Sequence, residues 1–580
     1  MKHLKWISFA VLICIAATII SCKKQKQIYI FKITQKDNVE LYDEAMIVSC
    51  LQGIINRKGP LIYVVSQGNP SPDYWLKKFT SKGLWLQGTK IDTLYGLDEL
   101  FDLARSEIKG AVIWDPAVPA TLNVATTIAG VENGVVFSPD FAVKYLDKWN
   151  LKVLKDLRGM FTGSISGSAK NDAYRWAIKN YLSKGLCYSH RVFLSEDAFA
   201  SRSKGDIGYV VNRDWAVYKG SFVYDLSPWG DEQPQDDPGQ IPGTDLETYK
   251  IMLSEILKQT EGKEMTEIAG FFAFSKYSNM PDHKSKHEAV PTEWESVYLM
   301  SPYNCYQNTV TSHCFNQSFH SQAPIGPLKQ HRPAVVKKLE NKIYICILMA
   351  DYDSGTPLYE FLWKFWDDKK RGEIPFIWGL NPNLVETYPD IIEYLYSTLS
   401  DNDYFGSDAS AAGYMNPNRI MPQYIPLFID HNKKYFSRLD LTIAPMVLDW
   451  DLPTGPVKDA FSQFSPDGMG TIIYDFHTSK IGHQQPQVWK EMPVMELHNE
   501  TGANEDYKKN AESILDHIKL APPDQPSFYL FRIVWTSPTD VISSIKLIKE
   551  LHPELNFDIL DPYNFSNLFK TYYKDKTVAP

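Results

Sequence analysis

The stretch "KIYICILMADYDSGTPLYEFLWKFWDDKK", residues 342–370, joins an apolar strand-like run to a helical stretch. Two aspartates, Asp351 and Asp353, stand at the junction. The pattern recurs along the chain. Strand-like runs read at "GSFVYDLSPWG", "IAGFFAFSKY", "IPFIWGLNP", "DYFGSDAS", "LDLTIAPMVLDWD", "GTIIYDFHTS", "MPVMELHNE", "SFYLFRIVWTSP" and "FDILDPYNF", and most lead into a helical stretch such as "DVISSIKLIKEL". Repeated strand-helix units predict a (β/α) barrel-like domain over residues 206–580, irregular in places. Ten runs exceed the eight of a regular barrel, so two are expected to lie outside it.

Ahead of this region, short strands and helices alternate from Ile28 to about Phe199. In "ELYDEAMIVSCLQGIINR", Ala45, Val48, Leu51, Ile54 and Ile55 recur at helical spacing. The rhythm predicts an α/β region with a parallel sheet over residues 28–205. The boundary is placed in the small, polar "ASRSKGDIG" at 200–208. "EQPQDDPGQIPG" at 232–243 and the segment 276–330 read as long loops over one face, and loops of that length usually carry function. "GSISGSAK" at 163–170 lacks both the G-x-G-x-x-G spacing and the Lys-Ser/Thr ending of phosphate loops. It reads as a connection, and no cofactor is expected.

The start of the chain speaks to location. "MKHLKWISFAVLICIAATIISC" has a basic beginning, an apolar stretch from Ile7 to Ile20 and a small residue before a cysteine, the layout of a secretory signal. Its ending, "IISC", resembles a bacterial lipobox. By that resemblance residues 1–21 are removed, Cys22 is lipidated and residues 22–27 form a tether, so the body is held in the cell envelope. The apolar stretch is shorter than the roughly 20 residues of a spanning helix. The formal charge of −9 becomes −11 once Lys2 and Lys5 leave with the signal, which argues against nucleic acid as a partner. Five cysteines then remain, in spacings that match no zinc pattern. They read as buried thiols, with Cys305 and Cys314 the one pair worth testing as a disulfide.

In a barrel, residues just past the C-terminal ends of the strands line the site. Those positions hold Asp351, Asp353, Asp408, Asp449, Asp475 and Glu496, with His477, His498, Arg532 and Trp535. Apolar strands that repeatedly end in carboxylates are unusual for packing alone. Crowded, desolvated carboxyls repel one another, which splits their pKa values into an acid and a base or nucleophile. Asp351, Asp353, Asp408 and Glu496 are therefore the candidate catalytic groups. Trp378 and Asn381 in "FIWGLNP" suit a pyranose face and its hydroxyls, His477 can add a hydrogen bond, and Arg532 needs a carboxylate partner inside its apolar strand. No metal is expected, because no histidine neighbours Asp351 or Asp353 in sequence.

The segment "SDASAAGYMNP", residues 407–417, ends a strand at Asp408 and turns through small residues to Gly413, Tyr414 and Pro417. The small residues let backbone come close to a ligand or neighbour, and Tyr414 can face the same place. Here the chain resembles the GxGYxYP family, assigned to glycoside hydrolysis in Bacteroidetes-type bacteria. "SCLQGIINR" at 49–57, "MADYDSG", "WGLNP" and "ILDPYNFSNL" extend the resemblance. It departs at Ala411 and Asn416, which replace the first glycine and second tyrosine of the signature. "DYDS" also keeps only the two aspartates of the family's DGDN-like motif.

The resemblance implies an N-terminal α/β region, a C-terminal barrel-like domain and a carbohydrate substrate. The leading expectation is a lipid-anchored glycoside hydrolase using paired strand-end carboxylates, with Gly413, Tyr414, Trp378, Asn381, His477 and Arg532 around the sugar. Two other readings stay open at this point. One is a glycan-binding lipoprotein without catalysis. The other is a metal-dependent deacetylase or esterase, in which Asp351 or Asp353 meets a histidine such as His477.

Overall fold

The computed structural model describes residues 26–576, apart from 35, 196–197, 232, 273–286, 336–337, 502–504 and 575. Cys22 and the signal segment lie outside the described residues. Three small parallel sheets precede the barrel. In the first, Gln27–Ile33 is flanked by Ile62–Ser66 and Lys90–Leu94. In the second, Gly110–Ile113 is flanked by Gly134–Phe137 and Val153–Asp156. The third runs Cys305–Asn308, Thr266–Ala269, Arg191–Leu194, Val223–Tyr224. The boundary expected at 205/206 thus falls between strands of one sheet.

The expected helix runs from Asn38 to Ile55, started by the Asp37 side chain accepting Val39 N–H, and is buried over most of its length. Its signature residues act as a joint. Gln52 donates to Asn316 Oδ1 at 2.7 Å and Asn56 to Ser318 Oγ at 2.9 Å, tying the first sheet to the distant 316–318 segment. At Gly53 an added Cβ would lie 2.5 Å from the Asp214 carbonyl, so helix Arg213–Lys219 can pack this closely only against a glycine.

The barrel strands are β1 (Ile343–Tyr352), β2 (Phe376–Leu380), β3 (Asp403–Ser407), β4 (Ile443–Asp449), β5 (Gly468–Asp475), β6 (Met492–Thr501) and β7 (Ser527–Val534). They are parallel in the order β3-β2-β1-β7-β6-β5-β4. Among the described residues these seven strands nearly close a barrel, with the seam between β3 and β4. Pro445 on β4 has no N–H to give there, and the β4–β5 register shifts between Ala444 and Val447. Ser410 N–H to Met446 O, at 2.8 Å, bonds across the seam instead.

Three of the ten expected runs lie outside the barrel, not two. Val223–Tyr224 and Thr266–Ala269 belong to the four-stranded sheet. Phe557–Ile559 pairs with the first residues of β1, Ile343–Ile345, before β2 begins to pair at Leu348. The ten-residue β1 is long enough to serve both neighbours. Its residues 343–350 are all buried, as a strand covered on both faces requires.

Candidate active site

Three strand ends and one outside helix meet at the C-terminal mouth of β1. The backbone turns left-handed at Asp351, with φ 68°, which shifts the strand's register between Met349 and Tyr352, just where its acids begin. Asp351 N–H donates to Asp408 Oδ2 at 2.8 Å, linking β1 to the residue after β3. From β7, Arg532 Nη2 donates to both Asp351 carboxylate oxygens, at 2.7 and 2.9 Å, and Nε reaches one of them at 3.3 Å. Trp535, itself at φ 42°, donates its indole N–H to the Asp351 carbonyl at 2.8 Å. Non-glycine residues in this conformation cost on the order of 1–3 kcal/mol and persist where their surroundings hold them.

The fourth contributor is Glu293, on helix Ala289–Met300. Glu293 and Asp353 keep part of their surface open, while protein encloses their carboxyls. Burial, then the Asp351 charge, pushes Glu293 up to about 8, with Arg532 opposing. Burial, Asp351 and Glu293 push Asp353 up to about 8 as well. Asp408 is fully buried and is held well above the usual carboxylate range by burial and by Asp353 and Asp351. The Tyr414 phenol is raised by burial and by Glu293 and Asp353, so it too faces this group.

The glycine-tyrosine loop is built to put it there. Tyr414 exchanges two backbone hydrogen bonds with Gln307, at 2.7 and 3.0 Å, and Ser410 Oγ donates to Met415 O at 2.6 Å. Gly413 has φ 105°, and an added Cβ would lie 2.2 Å from the Tyr306 ring. Asn416, with its amide nitrogen turned to Asp449, donates to both carboxylate oxygens at 2.6 and 2.8 Å. Burial pushes Asp449 up to about 7 despite the backbone N–H groups of Asn418, Asp451 and Trp450.

Asp351, Asp353, Asp408, Tyr414, Gly413 and Arg532 thus come together, and four other expected residues do not. Trp378 has no exposed surface. Its indole N–H donates to Asp403 at 2.8 Å and its ring packs on Trp366 of the preceding helix, so it fills the layer between the barrel wall and its helices instead of receiving a sugar. Asn381 is buried, and its side-chain oxygen caps the turn at Asn383. His477 lies against Glu295 at 3.1 Å and packs on Trp450. Glu496 pairs with His483 at 2.9 Å, because its place between the inward-facing Met495 and Leu497 turns it to the outer face of the barrel. Glu293 and Trp535 are the contributors the expected site lacked. Trp535 had a signal in its strand-end position. Glu293 had none, since it lies on a helix inside a segment read as loop.

Among the described residues no group of three or more His, Cys, Asp or Glu is arranged to hold a metal ion. The five cysteines Cys50, Cys187, Cys305, Cys314 and Cys346 are buried thiols, and Cys305 and Cys314 are not joined by a disulfide.

Residues 341–570 match the domain described as "GxGYxYP putative glycoside hydrolase C-terminal domain". Residues 30–103 and 108–185 match the first and second domains of the GxGYxYP N-terminal part. The chain belongs to the GxGYxYP family. The two N-terminal matches coincide with the first and second small sheets, and the C-terminal match spans the barrel and the final helix. Within this GxGYxYP chain, Gly413 and Tyr414 sit where the loop meets the acids, and Pro417 opens the short helix that follows. A solved structure described as a "putative hydrolase" from Bacteroides thetaiotaomicron VPI-5482 shares the fold. Its TM-score is 0.66 at 18% identity, covering 94% of this chain and 95% of that one. A peptidoglycan N-acetylglucosamine deacetylase, Bc1960, aligns over 38% of this chain and 86% of its own at 14% identity, with a TM-score of 0.23 that carries no argument. No curated protein sequence matches the chain.

Proposed function

We propose that the chain is a glycoside hydrolase whose active site is the acid cluster at the end of β1. The observation that carries this is an imbalance of charge. Four carboxyls, from Glu293, Asp351, Asp353 and Asp408, surround the guanidinium of Arg532, which donates to Asp351 through Nη2 and Nε. With the carboxyls of Glu293 and Asp353 both pushed up to about 8, protons remain on them at neutral pH, which is the state a general acid needs.

In this reading the Asp353–Glu293 pair delivers a proton to the glycosidic oxygen as the bond to the anomeric carbon breaks. The Asp351 carboxylate, held by Arg532, faces the positive charge that develops on the sugar ring. Water then adds to the anomeric carbon and returns a proton to the pair. Trp535, half-buried beside Asp351, offers a ring face to the sugar. Asp408 is too deeply buried to touch substrate and acts as a positioning residue through the Asp351 N–H. Support for a carbohydrate substrate comes from the family. Support for lipid attachment at Cys22, and so for an envelope location, comes from the signal-like residues 1–22.

The test is sugar release from polysaccharides and aryl glycosides by the purified chain, with Asp353→Asn and Glu293→Gln alongside. Release that both folded variants lose supports the reading, and release that neither variant changes overturns the acid assignment. Glycan binding weakened by Trp535→Ala, with no release from any substrate, would make this a capture protein.

A further inference from the structure

A second polar cavity lies away from the acid cluster, at the edge where strand Arg191–Leu194 begins. Its walls include Tyr188, Arg191, Trp215, Tyr218, Lys219 and Lys434, and it encloses about 270 Å³. It draws on the four-stranded sheet, on helix Arg213–Lys219 and on helix Ile425–Arg438 of the barrel. We propose that this cavity is a binding site for a pyranose carrying one anionic group, a carboxylate or a sulfate.

The charge balance carries the anionic part. Two acids line the cavity, and each already has a cation. Glu267 accepts from Arg191 Nη2 at 2.6 Å, and Glu386 from Arg438 Nη1 at 2.6 Å. Among the described residues Lys219 and Lys434 have no carboxylate within ion-pair distance, which leaves the cavity lining net positive. The Lys219 ammonium is held among aromatic rings, 4.9 Å from the centre of Trp215 and 5.2 Å from each of Tyr188 and Tyr218. Burial and the nearby Arg191 charge both press it to give up its proton, and an anion would relieve that. Arg191 is almost completely buried and its Nη1 carries no hydrogen bond. A buried, unmet donor of that kind is expensive unless a ligand or water meets it.

The rings carry the sugar part. Tyr188 and Tyr218 keep part of their surface open, and Trp215 stacks behind Tyr218 with ring centres 5.3 Å apart. A pyranose presents an apolar C–H face to such rings while its hydroxyls and anionic substituent reach the cations. Tyr306, also in the wall, lies against Gly413, so the cavity borders the same loop that presents Tyr414 to the acids.

Calorimetric titration of the full chain with glucuronic acid, glucose 6-sulfate, glucose and inorganic sulfate tests this. At least one of the two anionic sugars is expected to bind with a Kd in the millimolar range or tighter, and which of them does names the anion. Glucose and inorganic sulfate are each expected to bind at least tenfold more weakly. The double variant Lys219→Met/Lys434→Met, which keeps the side-chain stems, should lose at least tenfold in affinity, and Asp353→Asn should lose none. Because Asp353 belongs to the other site, failure here leaves the hydrolase reading standing. The proposal is overturned if neither anionic sugar binds or if glucose or sulfate alone binds as tightly. Binding lost in Asp353→Asn but kept in the lysine variant would overturn it too.

Discussion

Two regions of this molecule bury several acids around one cation, and they do opposite things with them. Near the 232–243 segment, Lys170 reaches Asp245 at 2.8 Å, Asp236 at 3.1 Å and Asp225 at 3.9 Å, with all four side chains almost fully buried. Every acid there has a further partner or shares the same lysine. Tyr174 donates to Asp225, and Asn171 donates to Asp245 at 2.8 Å. Burial opposes the charge on Lys170, but the three aspartates hold its pKa well above the ordinary lysine value. That cluster is a staple, fastening the long 232–243 segment to helix Ala169–Ala177. At the end of β1, by contrast, Arg532 donates to Asp351, and burial and neighbouring acids raise Glu293, Asp353 and Asp408 above the usual carboxylate range. Buried charge marks a chemical site only where the partners do not suffice.

The largest effect expected on this contrast is catalytic. Asp353→Asn should lower kcat/KM about 10²–10⁴-fold while leaving the melting temperature unchanged or raised, since it removes an acid from a crowded group. A melting temperature that falls by many degrees would make Asp353 structural and dissolve the contrast. Lys170→Met should do the reverse. It strands three buried aspartates and should cost about 3–5 kcal/mol in denaturant unfolding, with any surviving folded protein keeping its turnover. Gly413→Ala comes next, at roughly 2–4 kcal/mol, from its left-handed backbone and the Tyr306 ring in its way.

The remaining effect is a slope with pH. Unfolded aspartate and glutamate release protons near pH 4, whereas folded Asp353 and Glu293 keep theirs to about 8. Folding therefore takes up protons between these values. The associated stability is complete below about pH 4 and is lost as pH rises through about 8. Between pH 5 and 9 the melting temperature of the native chain should fall more than that of Asp353→Asn/Glu293→Gln, by several degrees. Parallel curves would show that the two carboxyls do not hold those protons.

Much was legible because it is local. The apolar run at 343–350, the helix after Asp37 and the succession of strand-helix units follow from periodicity and chain order, so the α/β class and a barrel at the C-terminal end could be read directly. The family could be read from the glycine-tyrosine loop. Asp351 and Asp353 could be read as well, because neighbours in sequence at a strand end stay neighbours in space. Trp378 and Glu496 were misplaced for one reason: where a strand is apolar on both faces, sequence does not say which alternate residues point into the barrel. Ile377, Met495 and Leu497 point inward, so Trp378 and Glu496 beside them point outward, Trp378 onto Trp366 and Glu496 to His483.

By itself, then, the sequence determined the class of fold, the family and the first two acids of the candidate site, all consequences of short-range pattern. Tertiary structure decided that, among the described residues, seven strands form the barrel, that Arg532 reaches Asp351, and that Glu293 arrives from a helix some 60 residues upstream. The proton balance of the site belongs to the same level. A pKa depends on which charges share a desolvated space, and that is set by the packing of distant segments.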